Sequence, residues 1–209
     1  NSFEWLDAFP KEPREYTNFV LRNKDINQHK NTEAFNKALK ILKNSDKIIG
    51  FDRAVQSIKF LGKESITVSS LKELLDNVNE NKDLDVSIIA SGDPTFYGIT
   101  NYLKSKIDEN IEIIPGISSF QYLTSKVQVM WSKAYLGSLH GRYEEFLENV
   151  KENDCSVWLT DKVNNPSRLC EILYENNIDA RVIIGENLSY DDEKISIGTP
   201  KELMNNIYE

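Results

Sequence analysis

The chain has 209 residues, enough for one domain or two small ones with a substantial core, and its net charge of −8 argues against non-specific nucleic-acid binding. No apolar run approaches the ~20 residues that span a bilayer, and no signal sequence opens the chain, so we expect a cytoplasmic protein without a membrane partner. Cys155 and Cys170 are too isolated for a disulfide framework or a zinc site, and we predict no metal site.

Alternating helices and strands are predicted from about Glu33 onward, whereas residues 1–35 fit no clear strand or helix pattern. Apolar residues between 34 and 42 fall largely on one face of a helix. The run KIIGF at 47–51 predicts a strand, and Asp52 and Arg53 open the next element. Residues 65–68 predict a second strand, followed by a helix with hydroxyl caps and an early glutamate over 69–80.

A third strand, over residues 86–90, runs into the turn segment SGDPTFYG at 91–98. The run is short, β-branched and bounded by turn residues, which is typical of a buried strand. Gly92 and Pro94 then favour a tight turn, and a helical pattern follows from Ile99. A strand, a tight turn and a helix in this order predict a ligand-binding loop at the carboxyl end of an α/β sheet.

A second loop repeats this arrangement further along the chain. Residues 111–114 predict a strand, PGISS at 115–119 forms the loop, and a helix follows. Two such loops after successive strands are expected to lie side by side at one edge of the sheet. They offer backbone groups, hydroxyls and one carboxylate, Asp93, which suits a polar cofactor without a large phosphate cluster. They match neither a Rossmann nor a Walker loop.

The C-terminal part continues the α/β pattern. A strand-like entry at 131–139 leads to His140-Gly141-Arg142, and helices are predicted over residues 144–150, 166–174 and 200–207. Strands are predicted over residues 156–159, 180–185 and 194–198. Such alternation is typical of a mostly parallel sheet covered by helices.

The two loop motifs together resemble the tetrapyrrole (corrin/porphyrin) methylases, which use S-adenosylmethionine. Further motifs are similar to the cobalt-precorrin carbon-5 methyltransferases of cobalamin biosynthesis: SLHGR at 138–142, LTDK at 159–162 and GENLSY at 185–190. The resemblance runs from about Ala38 to the C-terminus. Jointly, and in this order, the motifs are specific, although none of them is specific alone.

The resemblance implies a two-domain α/β fold with cofactor and substrate between an N-terminal domain (36–128) and a C-terminal domain (129–209). It also implies a first strand that ends in a Gly-x-Gly-Pro-Gly loop. Residues 1–35 contain neither feature, so we interpret them as a divergent or incomplete N-terminal segment. Because that loop shapes part of the family's active site, its absence bears on turnover more than on fold.

The activity implied by the resemblance is transfer of a methyl group from S-adenosylmethionine to carbon 5 of cobalt-precorrin-7 or precorrin. The donor is already activated, so the enzyme mainly aligns the reactants, and we assign no catalytic residue. The resemblance assigns nine residues to the cofactor: Ser91, Gly92, Asp93, Phe96, Ser118, Ser119, Leu159, Asn187 and Leu188.

The corrinoid precursor carries many carboxylates, so an acidic protein needs local basic residues to bind it. The resemblance assigns this role to Arg53, His140 and Arg142. The alternatives without a binding role are that Arg53 is a surface arginine beside Asp52 and that His140 is a structural loop histidine. We predict that Arg53 and Arg142 face one cleft from opposite domains. Further expected partners are a second copy, giving a homodimer, and a carbon-15 methyltransferase/decarboxylase of the same pathway.

Two alternative functions stay open at this point. The chain could methylate another ring position or another tetrapyrrole. It could also be a non-catalytic cofactor- or tetrapyrrole-binding protein of the same fold, which the missing glycine-rich loop favours. Binding of S-adenosylmethionine without methyl transfer would distinguish the binding protein from the enzyme.

Overall fold

The computed structural model describes residues 28–107 and 111–208, so most of the N-terminal segment, residues 1–27, lies outside the described part. The chain divides into two compact units. The first unit ends at Ser118, and the second unit begins at Ser119. The predicted change of domain after residue 128 lies later in the chain, and the domain assignment stays a prediction.

The first unit is a three-stranded parallel sheet with helices packed against it. In chain order it contains α1 (Gln28–Asn44), β1 (Lys47–Phe51), α2 (Asp52–Ser57), a 3₁₀ turn (Lys59–Leu61), β2 (Ser65–Val68), α3 (Leu71–Glu80), β3 (Val86–Ile89) and α4 (Thr100–Lys104). The strand order is β2-β1-β3, and β1 is parallel to both neighbours. The carboxyl ends of β1 and β3 therefore lie side by side.

The central position of β1 follows from its sequence. Ile48 and Ile49 are β-branched and fully buried, as expected for a strand covered on both faces. Across the sheet, Ile49 is in register with Ile66 on β2 and Ile88 on β3. The core of the unit forms where this sheet meets α3 and α4, and its buried members are Ile49, Val68, Leu74 and Leu103.

The second unit contains two short strand pairs and four helices within its described residues. In chain order these are α5 (Ser119–Lys126), β4 (Tyr135–Ser138), α6 (Phe146–Glu152), β5 (Ser156–Leu159), α7 (Pro166–Glu175), β6 (Val182–Glu186), β7 (Lys194–Gly198) and α8 (Pro200–Leu203). The strands β4 and β5 are parallel, whereas β6 and β7 are antiparallel.

A glycine lets β4 and β5 pair beneath a large aromatic side chain. Gly137 is in register with Trp158, and a Cβ atom on Gly137 would collide with the indole ring. The Trp158 ring also packs edge-on against Phe146 at 5.0 Å between centroids. These contacts join β5 to α6, and the same core contains Leu139, Leu169 and Leu173.

Most of the predicted elements are confirmed, including the strands at 156–159 and 194–198. The first helix begins at Gln28, earlier than predicted. The predicted strand at 111–114 is wrong, because this segment pairs with no strand in the described part of the chain. Ile111 packs instead against the core of the first unit, and Glu112 forms an ion pair with Lys37. No helix among the described residues is long and apolar enough to cross a membrane.

Two glutamates near helix starts make the stability of the fold dependent on pH. The Ser69 amide donates to Glu73 at 2.7 Å, and the Thr199 amide donates to Glu202 at 2.8 Å within a capping box. These backbone hydrogen bonds, followed by bonds from the hydroxyls of the same residues, lower the pKa of both carboxyls. Each charged carboxylate is therefore stabilised by folding.

We expect the melting temperature to fall as pH drops below about 4, the ordinary pKa of a glutamate. A carboxyl whose pKa is lowered by folding stabilises the protein above its unfolded pKa and loses that effect as pH falls through its folded pKa. Thermal melts from pH 7 to pH 3 measure this change. The variants Glu73→Gln and Glu202→Gln should each flatten the profile, and unchanged profiles in both variants would contradict the assignment.

Candidate functional site

The first loop follows β3 and covers residues 91–98. Gly92 adopts a φ of +69°, a conformation that glycine reaches without steric cost. The Oδ1 atom of Asp93 accepts hydrogen bonds from the Thr95 amide at 2.7 Å and from the Thr95 hydroxyl at 2.6 Å. This is an Asx turn, so one oxygen of Asp93 shapes the loop.

The end of the first loop is held by close backbone packing. A Cβ atom on Gly98 would lie 2.5 Å from the Pro94 carbonyl oxygen, which also accepts a hydrogen bond from the Thr100 hydroxyl at 2.6 Å. Phe96 is half-buried and packs edge-on against Tyr97, with 5.0 Å between ring centroids. The loop therefore presents an aromatic ring and a carboxylate from a fixed turn.

The second loop, residues 115–118, lies directly against the first. A Cβ atom on Gly116 would overlap the Gly92 carbonyl oxygen and lie 3.0 Å from the Gly92 carbonyl carbon. In turn, a Cβ atom on Gly92 would lie 3.5 Å from the Ser118 Cα. The expectation that the two loops lie side by side is confirmed, although the second loop does not follow a strand. Ser118 is buried, and Ser119 begins α5.

Arg53 lies at the same edge of the sheet as the first loop. It is the second residue of α2, which begins directly after β1. Because Gly50 on β1 is in register with Ile89 on β3, the two strands end side by side at the same edge of the sheet. Arg53 is exposed to solvent. The structure thus brings Arg53, Ser91, Gly92, Asp93, Phe96 and Ser118 to one region of the first unit.

In the second unit, the segment at 138–142, here called the HGR loop, is bonded to the residues that follow β5. The His140 Nδ1 lies 3.1 Å from the Thr160 carbonyl oxygen, and the Gly141 amide donates to Asp161 Oδ2 at 2.9 Å. A carbonyl oxygen can only accept, so the proton of this contact belongs to His140 Nδ1. The other ring nitrogen, Nε2, is left for a further partner, as an acceptor in the neutral ring and as a donor in the charged ring. Leu159, half-buried at the end of β5, accepts from the Leu139 amide at 2.8 Å.

The amides around Asp161 lower the pKa of its carboxyl below the ordinary value of an aspartate. The Gly141 amide, followed by the Asn164 and Val163 amides, lowers the pKa of the Asp161 carboxyl against the opposing effect of desolvation. In the sequence, Asp161 lies in the LTDK motif at the end of a predicted strand, where an aspartate is either a hydrogen-bond acceptor for the cofactor or a simple turn residue.

Asn187 and Leu188 lie in the loop after β6. Asn187 adopts a φ of +45°, and its side-chain amide donates to Asp192 at 2.8 Å. A Cβ atom on Gly185 would lie 2.8 Å from a methyl carbon of Leu188, so Leu188 packs over the end of β6. This packing gives the loop an apolar side chain in a fixed position.

Glu193 joins this loop to α5, a contact that the sequence analysis missed. Its carboxylate accepts from the Ser189 amide at 2.7 Å and forms an ion pair with Lys126 at 3.0 Å. Burial raises the pKa of Glu193, but hydrogen bonds from Ser189, Tyr122 and Lys126 outweigh it and lower the pKa overall. No local sequence signal marks this cluster, because its members come from separate elements.

Comparison with known proteins identifies the family. A family model described as tetrapyrrole (corrin/porphyrin) methylases matches residues 36–204. The "Probable cobalt-precorrin-7 C(5)-methyltransferase" of Methanocaldococcus jannaschii is 35% identical over 182 residues, covering 81% of this chain and 84% of that protein. The cobalt-precorrin-7 C(5)-methyltransferase of Salmonella typhimurium is 31% identical over 161 residues, covering 76% of this chain and 80% of that protein.

A solved structure supports the same fold. The crystal structure of the precorrin-6Y methylase from Archaeoglobus fulgidus matches with a TM-score of 0.65 at 24% identity, covering 83% of this chain and 86% of that chain. At this identity the match concerns the fold alone. The family model extends over more than half of the sequence, so this chain belongs to the tetrapyrrole methylases.

Proposed function

We propose that this protein transfers a methyl group from S-adenosylmethionine to carbon 5 of cobalt-precorrin-7 in cobalamin biosynthesis. The observation that carries the proposal is the similarity, over most of both chains, to proteins named for that reaction in an archaeon and a bacterium. The alternatives, another ring position and a non-catalytic binding protein, have no comparable observation in their favour.

The paired loops of the first unit fit S-adenosylmethionine. The Gly116 backbone lies so close to the Gly92 carbonyl group that position 116 has no room for a side chain, and Asp93 follows directly after this contact. A carboxylate suits the positive charge of the methionine portion, and Phe96 suits the adenine. Neither loop contains a lysine or arginine that could pair with a phosphate group. Bound S-adenosylmethionine would supply a methyl group activated on a cationic sulfur.

The residues that would hold the cofactor are five from the two loops together with four from the second unit. We propose Ser91, Gly92, Asp93, Phe96, Ser118, Ser119, Leu159, Asn187 and Leu188 for this role. A methyl transfer of this kind depends mainly on alignment, because the donor needs no further activation. The hydrogen bonds that fix Asp93 and Asn187 therefore support a role in holding a ligand in one orientation.

The substrate carries many carboxylates and the protein is acidic, so capture depends on local positive charge. We propose that Arg53, His140 and Arg142 bind the corrin carboxylates. Arginine suits this role because its planar fork pairs with a carboxylate through two hydrogen bonds. Arg142 is exposed next to His140, and Arg53 is exposed at the edge of the first sheet.

Arg142→Ala should weaken corrin binding about tenfold and leave S-adenosylmethionine binding unchanged, because it removes a charged hydrogen-bond donor. The loss should shrink at high salt. Titration of each ligand by calorimetry measures both affinities. Arg181→Ala, which removes an exposed arginine from the same unit, controls for net charge. If both variants lowered the affinity for the corrin equally, Arg142 would contribute only through the net charge of the surface.

The proposed reaction is tested by incubating the protein with S-adenosylmethionine and cobalt-precorrin-7. We expect a corrin product heavier by one added methyl group, with the methyl carbon on ring carbon 5 by NMR. A methyl group on another ring carbon would favour a different member of the family. Binding of S-adenosylmethionine by calorimetry without any methylated product would favour the non-catalytic protein.

Three further expectations stay proposals about the protein in its cell. We propose that the protein is cytoplasmic. We also propose that it is a homodimer, which light scattering on the purified protein tests by measuring its molar mass. We also propose association with a carbon-15 methyltransferase/decarboxylase of the same pathway. Mixing the two purified proteins and measuring their sedimentation would detect the complex.

A further inference from the structure

The HGR loop turns at Gly141 with open space on the side where a side chain would lie. Gly141 adopts a φ of +64°, and a Cβ atom at this position would meet no atom within 4 Å. The residues from His140 to Arg142 are all exposed. Packing therefore does little to fix the direction in which the two basic side chains leave the backbone, and polar contacts have to supply that constraint.

One carboxylate supplies part of this constraint, beside the hydrogen bond that Arg142 Nε donates to the His140 carbonyl oxygen at 3.5 Å. Asp161 Oδ2 accepts from the Gly141 amide at 2.9 Å, in the middle of the HGR loop. Its other oxygen, Oδ1, accepts from the Val163 amide at 2.9 Å and from the Asn164 amide at 2.7 Å. Oδ1 therefore stabilises the turn that follows β5, whereas Oδ2 accepts its hydrogen bond from the HGR loop.

Two neighbouring contacts make this arrangement specific to the HGR loop. His140 Nδ1 contacts the carbonyl oxygen of Thr160, the residue just before Asp161, at 3.1 Å. The Asn164 side-chain amide donates to the Leu139 carbonyl oxygen at 3.4 Å. The segment after β5 therefore holds three successive residues of the HGR loop, and Asp161 contributes the shortest of these bonds.

We propose that Asp161 is a positioning residue for the corrin substrate, because its Oδ2 holds the Gly141 amide and so orients His140 and Arg142 toward the substrate carboxylates. This inference rests on the proposed function. Asp161 itself is not assigned to the substrate, since its oxygens already accept three backbone hydrogen bonds. Its contribution is the orientation of the two basic side chains that precede it in the chain.

Asp161→Asn separates the two roles of the carboxylate. Asparagine keeps one acceptor oxygen for the Val163 and Asn164 amides, but its NH₂ group cannot accept from the Gly141 amide. We expect the KM for cobalt-precorrin-7 to rise about tenfold, the effect of one lost hydrogen bond to a charged group, with the KM for S-adenosylmethionine unchanged. Asp154→Asn, an exposed aspartate of the same unit, controls for the lost charge.

A double-mutant cycle tests whether Asp161 acts through Arg142. In the Arg142→Ala background, Asp161→Asn should raise the KM for the corrin clearly less than it does in the wild type, because the oriented side chain is already absent. Hydrogen exchange provides a readout without substrate: the Gly141 amide should exchange at least tenfold faster in Asp161→Asn than in wild type.

The outcomes separate this inference from the proposed function. A wild-type protein that does not methylate cobalt-precorrin-7 would overturn both. If the wild type is active, an unchanged corrin KM in Asp161→Asn would overturn the positioning role alone. A loss of kcat and melting temperature with an unchanged KM would reduce Asp161 to a structural turn residue, and fully additive effects with Arg142→Ala would also count against it.

Discussion

Gly116→Ala is expected to weaken S-adenosylmethionine binding on the order of 10- to 100-fold, because the added methyl group forces the two loops of the first unit apart. The Cβ atom would overlap the Gly92 carbonyl oxygen and lie 3.0 Å from its carbonyl carbon. Both atoms belong to the backbone, so no side-chain rotation can relieve the collision. Overpacking of this kind typically costs about 1–3 kcal/mol.

Calorimetric titration of the cofactor measures this effect, and two other glycines serve as controls. Gly92→Ala introduces backbone strain at a φ of +69°, but its Cβ atom would make only ordinary contact, 3.5 Å from the Ser118 Cα. Gly62→Ala introduces similar strain at +63° in a distant turn, with no atom within 4 Å. We expect cofactor affinity to fall most in Gly116→Ala and not at all in Gly62→Ala.

The order of these effects distinguishes a binding role from general destabilisation. Thermal melts should detect a loss of stability in all three variants, since each one strains or crowds the backbone. A Gly116→Ala protein that folds and binds the cofactor with wild-type affinity would mean that the paired loops do not form the cofactor site. Such a result would favour residues of the second unit as the cofactor site.

The sequence predicts the strands of this fold well where a β-branched run is bounded by turn residues. Residues 156–159 and 194–198 form strands over the predicted spans. The same rule fails at residues 111–114, where the apolar run packs against the core without a neighbouring strand. Hydrophobic pattern reports burial, whereas strand formation also needs a partner, and a short run cannot reveal whether one is available.

Some features of the candidate site can be predicted from the sequence, and others cannot. The adjacency of the two loops is predicted from two successive strands, but only the first loop follows a strand, and the second loop lies against it through the backbone contact of Gly116 with Gly92. The backbone overlap that forbids a side chain at Gly116 depends on sub-ångström geometry. The bond from Gly141 to Asp161 joins residues far apart in the chain, so no local pattern signals it.

Asp93→Ala should weaken S-adenosylmethionine binding by about 1–3 kcal/mol, the value of a lost hydrogen bond to a charged group. Two causes are combined in this variant. It removes the carboxylate, and it also removes the Oδ1 acceptor that holds the Thr95 amide at 2.7 Å and the Thr95 hydroxyl at 2.6 Å. The loop therefore loses both its charge and its Asx turn.

Asp93→Asn separates the charge from the turn. An asparagine side chain keeps one acceptor oxygen for Thr95 and can form the same Asx turn, but it is neutral. If the carboxylate faces the cationic portion of the cofactor, the asparagine variant should also lose affinity, by about 1 kcal/mol, and the difference from wild type should shrink at high salt. Wild-type affinity in Asp93→Asn combined with weak binding in Asp93→Ala would assign Asp93 to loop geometry alone. Wild-type affinity in both variants would remove the first loop from the cofactor site.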